Sequence, residues 1–207
     1  MKLKVCGMKD VDNLKAVAEF QPDYFGFIFY EKSPRAFTLQ NLPELQNIKR
    51  VGVFVNAEID FIVNKQEQLA INVIQLHGDE SKAYISDLKA KLPAEIQFFK
   101  ALSMATAKDF DMTERYDDLI DAFVLDTKTP LKGGSGQKFN WQLLEHYNAE
   151  RPFLLSGGIA PEDAHRIKDI YQRHPKMIGV DINSRFEINP GLKSVEDINT
   201  FITTLNS

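Results

Sequence analysis

The sequence predicts a single-domain α/β fold in which eight parallel strands close into a barrel with helices outside it, the (β/α)8 TIM barrel. Two observations predict it. Short β-rich apolar runs alternate with helix-like segments at a spacing of roughly 20 to 30 residues, the scale of one strand-plus-helix unit, and about eight such units fit along the chain. The chain is 207 residues long, 43% hydrophobic and 26% charged, enough to bury one sizeable core and too little for two full domains, so residues 1–207 are expected to form one unit. An open doubly wound sheet would alternate in the same way. Strand count and length favour closure.

Taken in order, the first strand is expected over Leu3 to Cys6, where "LKVCGMKD" ends an apolar stretch in a thiol and a glycine. Asp10 suits the N-cap of the following helix, whose apolar stripe is Val11, Leu14 and Ala18. Strands follow over Tyr24 to Phe29 and Arg50 to Val55, then a helix with the stripe Ile59, Ile62, Val63 and Leu69. The fourth, fifth and sixth runs are Val73 to His77, Ile96 to Leu102 and Leu119 to Asp126; the seventh and eighth are Phe153 to Ser156 and Met177 to Asp181. Pro161 fits a first helical turn, where Glu162 and Asp163 complement the helix dipole. Ser194 with Asp197 three residues later opens the last helix, a loose capping-box analogue.

At this length most connections must be short. The exception is "DTKTPLKGGSGQKF", Asp126 to Phe139, a long glycine-rich connection that reads either as a surface loop or as a substrate lid.

A net charge of -4 and a pI near 5.6 leave no basic footprint, so neither nucleic acid nor an anionic membrane is an expected partner. No stretch approaches the ~20 apolar residues of a membrane span. One cysteine cannot close an intrachain disulfide, and the N-terminus shows no basic segment followed by a long apolar run; a reducing, cytoplasmic setting is expected. The oligomeric state is not fixed by the sequence, a monomer being the favoured expectation.

In a parallel barrel the chemistry gathers at the carboxyl ends of the strands, and five polar residues end the apolar runs: Cys6, His77, Asp126, Ser156 and Asp181. Each also has a plainer reading. A buried cysteine is usually a small hydrophobe, a histidine is often a hydrogen-bonded structural group, and an aspartate at a strand end can cap the next turn. In "LLSGGIAPEDA" Gly157 and Gly158 lie between a strand and a helix, where missing side chains let backbone N–H groups approach an anion. The neighbouring "GVDINSRFE" offers Asn183 and Ser184 as further donors. The working inference is a small phosphorylated substrate.

These segments carry a family resemblance. "KVCGMKD", "FGFIFYEKSPRAF", "VGVFVN", "IQLHGDE", "VLDTKTPLKGGSGQKFNW", "LLSGGIAPEDA" and "GVDINSRFEINPGLKSVEDINTFI" together resemble phosphoribosylanthranilate isomerase, in family order and over nearly the whole chain. The resemblance implies a barrel enzyme of tryptophan biosynthesis, with 1–207 as its catalytic domain. The reaction it implies converts N-(5'-phosphoribosyl)anthranilate to 1-(2-carboxyphenylamino)-1-deoxyribulose 5-phosphate without metal or cofactor. It further implies Cys6 as general base, Asp126 as general acid, Arg35 as partner of the anthranilate carboxylate and Asp181 as a sugar contact. Gly157, Gly158 and Ser184 are the implied phosphate ligands. The chain departs from the family pattern at Asn183-Ser184, where two small hydroxyl residues are usual, and at Arg185, where glycine is usual.

Acid and base suffice for such a rearrangement because the substrate's own iminium nitrogen is the electron sink. Cys6 must then be thiolate and Asp126 protonated, against their ordinary values near ~8.5 and ~3.9. Lys4, two residues before Cys6 on the same strand face, is a candidate for the charge that would favour the thiolate; it is otherwise a solvated lysine at the barrel floor. Other chemistries fit the residues less well. A metal-dependent epimerase would want paired histidines, and of His77, His146, His165 and His174 only His77 ends a strand. A triose-phosphate type isomerase would leave Cys6 idle. A non-catalytic sugar-phosphate binding barrel would need only the glycines.

Overall fold

The computed structural model describes residues 1–127 and 140–207 of the chain, and within them eight strands close into one parallel barrel in sequence order. The strands are β1 (Lys2–Cys6), β2 (Tyr24–Ile28), β3 (Lys49–Phe54), β4 (Val73–Leu76), β5 (Gln97–Met104), β6 (Ala122–Thr127), β7 (Phe153–Leu155) and β8 (Met177–Ile182). β1 pairs with both β2 and β8, which closes the ring. The glycine-rich connection proposed as loop or lid lies outside the described residues beyond Thr127.

Strand alternation sorts the side chains into two cores. On β1, Leu3 and Val5 point outward into the large cluster shared with the helices, while Cys6 points into the barrel with Tyr24, Val51, Val53, Val73, Phe99, Ala101, Ala122, Val124 and Leu154. The barrel is therefore a packed core, with Cys6, Asp126 and Asp181 toward its carboxyl rim and Lys2, Lys49 and Gln97 at its amino end.

Helices cover the outside unevenly. Asp10 caps α1 (Val11–Ala18) by accepting the Asn13 N–H at 2.8 Å, as its position before the apolar stripe predicts. α2 (Ile59–Leu69) buries Ile62 and Leu69, and α3 (Lys82–Lys91) buries Ile85 and Leu88. After β5 a 3-10 turn, Ala107–Phe110, runs into the single turn α4 (Asp111–Glu114). The segment near Trp141 is 3-10 throughout, Trp141–His146. Pro161–Asp163 forms the 3-10 start of α5 (Ala164–Arg173).

Between β2 and β3 there is no helix at all. Pro34 and Pro43 interrupt the segment, each lacking the N–H that a helix interior needs. Phe37 covers the outer face there instead, edge-on to Phe27 at 5.0 Å and to Phe29 at 5.9 Å. After β8 the chain makes a short 3-10 turn, Ser184–Phe186, and an added antiparallel hairpin, β9 (Glu187–Asn189) with β10 (Leu192–Lys193). α6 (Val195–Asn206) closes the fold, capped by Ser194 Oγ accepting the Asp197 N–H at 3.2 Å.

Candidate active site

Cys6 ends β1 with its side chain inside the barrel rim, and its neighbour in register on β2 is Gly26. A Cβ at Gly26 would stand 2.7 Å from the Cys6 sulfur, so only glycine leaves room for the thiol. The turn after Cys6 is pinned to the same residue, the N–H groups of Gly7 and Met8 both donating to the Gly26 carbonyl at 2.9 and 3.1 Å.

Barrel closure sets Lys4 on β1 beside Asp181 on β8, and the two side chains meet at 2.9 Å, both buried. Lys4 is not the solvated floor residue of the plainer reading. Burial alone would lower its pKa, but Asp181 and then Cys6 outweigh that, and Lys4 is held above the ordinary lysine value as a cation. Asp181 spends one oxygen on Lys4; the other, Oδ1, is buried with no hydrogen-bond partner. A buried carboxylate oxygen left open is costly unless a ligand hydroxyl or N–H satisfies it.

Burial pushes the Cys6 thiol above its ordinary value; Lys4 and Lys193 pull the other way. Asp126, on β6, is pushed up to about 6, mainly by burial, with Asp181 adding to the rise, while the Thr127 N–H and Lys4 hold it down. Its Oδ1 accepts the Thr127 N–H at 2.8 Å, and its Oδ2 lies 3.6 Å from His77 Nε2, longer than a direct hydrogen bond. Cys6 and Asp126 thus both feel the Lys4–Asp181 pair, and a carboxyl with a pKa near neutrality shares that site with a buried thiol.

Gly157 and Gly158 form the turn after β7, with φ of 82° and 66°. Their N–H groups make no hydrogen bond among the described residues. Gly157 has a second reason to be glycine: a Cβ there would sit 2.3 Å from Thr127 Oγ1 and 2.9 Å from Asp126 Oδ1. The turn therefore presses against the end of β6. Ser184 begins the turn after β8, half-buried, with its neighbour Arg185 exposed. Ser156 follows the end of β7, its hydroxyl donating to the Asp181 carbonyl at 3.3 Å.

Arg35 comes from the irregular β2–β3 connection and lies over the same rim: a Cβ at Gly7 would touch its Cδ at 2.9 Å. Its guanidinium is already engaged. Nε and Nη2 donate to Glu187 at 2.7–3.0 Å, and Glu187 is in turn held by Lys193 at 2.8 Å. Neither Glu187 nor Lys193 ends a barrel strand, so the strand-end search passes over them. The Asn189-Pro190-Gly191 turn between them was the available signal, since a tight hairpin brings its two flanks face to face.

Among the described residues no group of three or more His, Cys, Asp or Glu side chains is placed to hold a metal ion, and no helix is long and apolar enough to cross a membrane.

A closed parallel barrel with a thiol, a carboxyl of raised pKa and a glycine turn gathered at its carboxyl rim places the chain in the TIM-barrel class, where sites lie at that rim. The family model described as N-(5'phosphoribosyl)anthranilate (PRA) isomerase matches residues 3–204. The N-(5'-phosphoribosyl)anthranilate isomerase of Parabacteroides distasonis is 41% identical over 208 residues, covering 98% of this chain and 92% of that protein. The crystal structure of phosphoribosyl anthranilate isomerase from Thermotoga maritima superimposes with a TM-score of 0.80 at 30% identity, covering 100% of this chain and 98% of that one. A phosphoribosyl anthranilate isomerase in complex with reduced 1-(o-carboxyphenylamino)-1-deoxyribulose 5-phosphate superimposes with a TM-score of 0.78 at 28% identity, covering 100% and 98%. The chain belongs to the N-(5'-phosphoribosyl)anthranilate isomerase family and is an isomerase of tryptophan biosynthesis.

Proposed function

We propose that the chain converts N-(5'-phosphoribosyl)anthranilate to 1-(2-carboxyphenylamino)-1-deoxyribulose 5-phosphate by an Amadori rearrangement, with Asp126 as general acid and Cys6 as general base. The observation that carries the reading is the pairing of a carboxyl raised to about 6 with a buried thiol around one Lys4–Asp181 pair. Asp126 gives its proton to the furanose ring oxygen; the C1'–O bond breaks and the anilino nitrogen lone pair forms the C1'=N iminium. The Cys6 thiolate then removes the C2' proton. The C2'–H electron pair becomes a C1'=C2' bond and the iminium electrons return to nitrogen, giving an enolamine. Ketonisation moves the C2' hydroxyl proton out and places a proton on C1', so substrate and product are isomers.

The iminium supplies the electron sink, and the reaction needs no other. As the cation forms it lowers the pKa of the nearby thiol, so the base is strongest when it is needed. The open Oδ1 of Asp181 is suited to accept a sugar hydroxyl, and the unengaged N–H groups of Gly157 and Gly158, with Ser184, are suited to the 5'-phosphate. Arg35 would take the ring carboxylate. The test is to mix purified protein with phosphoribosylanthranilate and follow the anthranilate-type fluorescence. Its enzyme-dependent loss, with a product of unchanged mass, is the expected result. Fluorescence that decays at the uncatalysed rate would overturn the reading.

A further inference from the structure

We infer that Glu187, anchored by Lys193 on the added hairpin, is a positioning residue that fixes which edge of the Arg35 guanidinium meets the substrate's ring carboxylate. The inference rests on the role proposed above for Arg35 and deepens it. A guanidinium carries five N–H donors in a rigid plane. Glu187 takes the edge formed by Nε and Nη2, at 3.0, 2.9 and 2.7 Å. The edge formed by Nη1 and the second Nη2 hydrogen is what remains, a second fork that matches a carboxylate.

The clamp is rigid because every part of it is tied. Glu187 Oε1 also accepts from Lys193 Nζ at 2.8 Å and from the Gly191 N–H at 3.0 Å. Lys193 is fully buried, donates to Asn183 Oδ1 at 2.8 Å, and has its backbone N–H and carbonyl clasped by the Asn13 amide at 2.8 Å each. Burial works against the Glu187 carboxylate, but Arg35 and Lys193 prevail and hold its pKa below the usual range, so it is an anion at neutral pH. Burial lowers the pKa of Lys193, and Glu187 works against that; with Lys193 protonated the three charges sum to one surplus positive in side chains only 11%, 4% and 0% exposed. An uncompensated buried charge is costly, and an incoming carboxylate relieves it. The stem of Arg35 crosses Gly7, the residue after Cys6, so the clamp is held at the carboxyl end of β1.

A hairpin that merely braces the fold would affect all ligands alike, so the test reads a ratio. The probes are reduced 1-(o-carboxyphenylamino)-1-deoxyribulose 5-phosphate and the same molecule built on aniline, without the carboxylate. In the wild-type protein the carboxylate is expected to tighten binding by roughly tenfold or more. Glu187→Gln should cut that ratio to within about threefold of unity, as should Arg35→Ala, and the double variant should show no further loss. Partial unfolding scales both apparent affinities equally and leaves the ratio untouched. Should Glu187→Gln prove insoluble, Lys193→Met, which frees Glu187 to swing, is expected to lower the ratio in the same direction. A collapsed ratio in Arg35→Ala with a wild-type ratio in Glu187→Gln or Lys193→Met would overturn the inference alone. An unchanged ratio in Arg35→Ala would instead remove the role of Arg35 itself, and this inference with it.

Discussion

Replacing Asp126 by asparagine should make the folded protein more stable at neutral pH while it stops the enzyme. Burial raises this carboxyl from 3.8 to about 6 in the folded state, and each tenfold change in proton affinity corresponds to ~1.4 kcal/mol. Because the folded value lies above the unfolded one, the group's contribution to stability is complete below its unfolded value of 3.8 and is lost as the pH rises through about 6. Above that, keeping Asp126 ionised in the site costs about 3 kcal/mol. Asparagine has the same shape and can still accept the Thr127 N–H through its amide oxygen, but it carries no charge to desolvate. For a chain of this size 1 kcal/mol moves the melting temperature by about 2–4 °C, so the variant should melt about 6 °C or more above wild type at pH 8. The assay is thermal unfolding followed by far-ultraviolet circular dichroism at several values between pH 4 and pH 8. The gap should be near zero at the acid end, open as the pH approaches 6, and stay constant above it. Equal melting temperatures at pH 8, or a gap that does not change with pH, would refute the argument that Asp126 is held near neutrality by burial.

Further outcomes follow from the same site. The profile of kcat/KM against pH should be a bell with its acid limb near 6 and its alkaline limb above the ordinary thiol range, and since the active form needs the weaker acid ionised, only a small minority of molecules carries it on the plateau; a profile with no acid limb would contradict the assignment. Asp126→Asn should lower turnover by at least roughly 10²-fold, measured by fluorescence loss, while the reduced product analogue binds as before. Gly157→Ala forces a side chain onto φ 82° and against Thr127, so it should destabilise the fold by more than about 1 kcal/mol in urea titration; a neutral result would show that the turn can shift. Activity should survive exhaustive chelation, and inactivation rescued by a divalent metal would favour epimerase-type chemistry instead.

The barrel is legible in the sequence because each strand carries its own local signal, and eight signals at one spacing leave few ways to arrange them. The helices are less regular than that rhythm suggests. The β2–β3 connection has none, and the pieces after β5 and β6 are mostly 3-10, too short for a 3.6-residue period to mark. Searching strand ends finds Cys6, Asp126 and Asp181, whose place depends only on where a run stops. Partnerships are another matter. Strand alternation puts Lys4 on the Cys6 face, but that it pairs with Asp181 depends on closure of β1 against β8 across 177 positions of chain. Arg35 and Glu187 meet across 152 positions, from two irregular segments, and no local pattern in either names the other. Burial is equally non-local: the apolar strand ends give the direction, a raised Asp126 carboxyl, but its value of about 6 depends on the packing of the closed barrel.

The central claim is that Cys6 is the base, and the most direct measurement is the turnover of Cys6→Ser alongside its affinity for the reduced product analogue. Serine fits the space that Gly26 leaves, but its hydroxyl is far too weak an acid to form the required anion. The account predicts turnover reduced by roughly 10² to 10⁴-fold with analogue affinity within about threefold of wild type. Turnover at the wild-type rate would contradict it and leave Cys6 as packing at the end of β1.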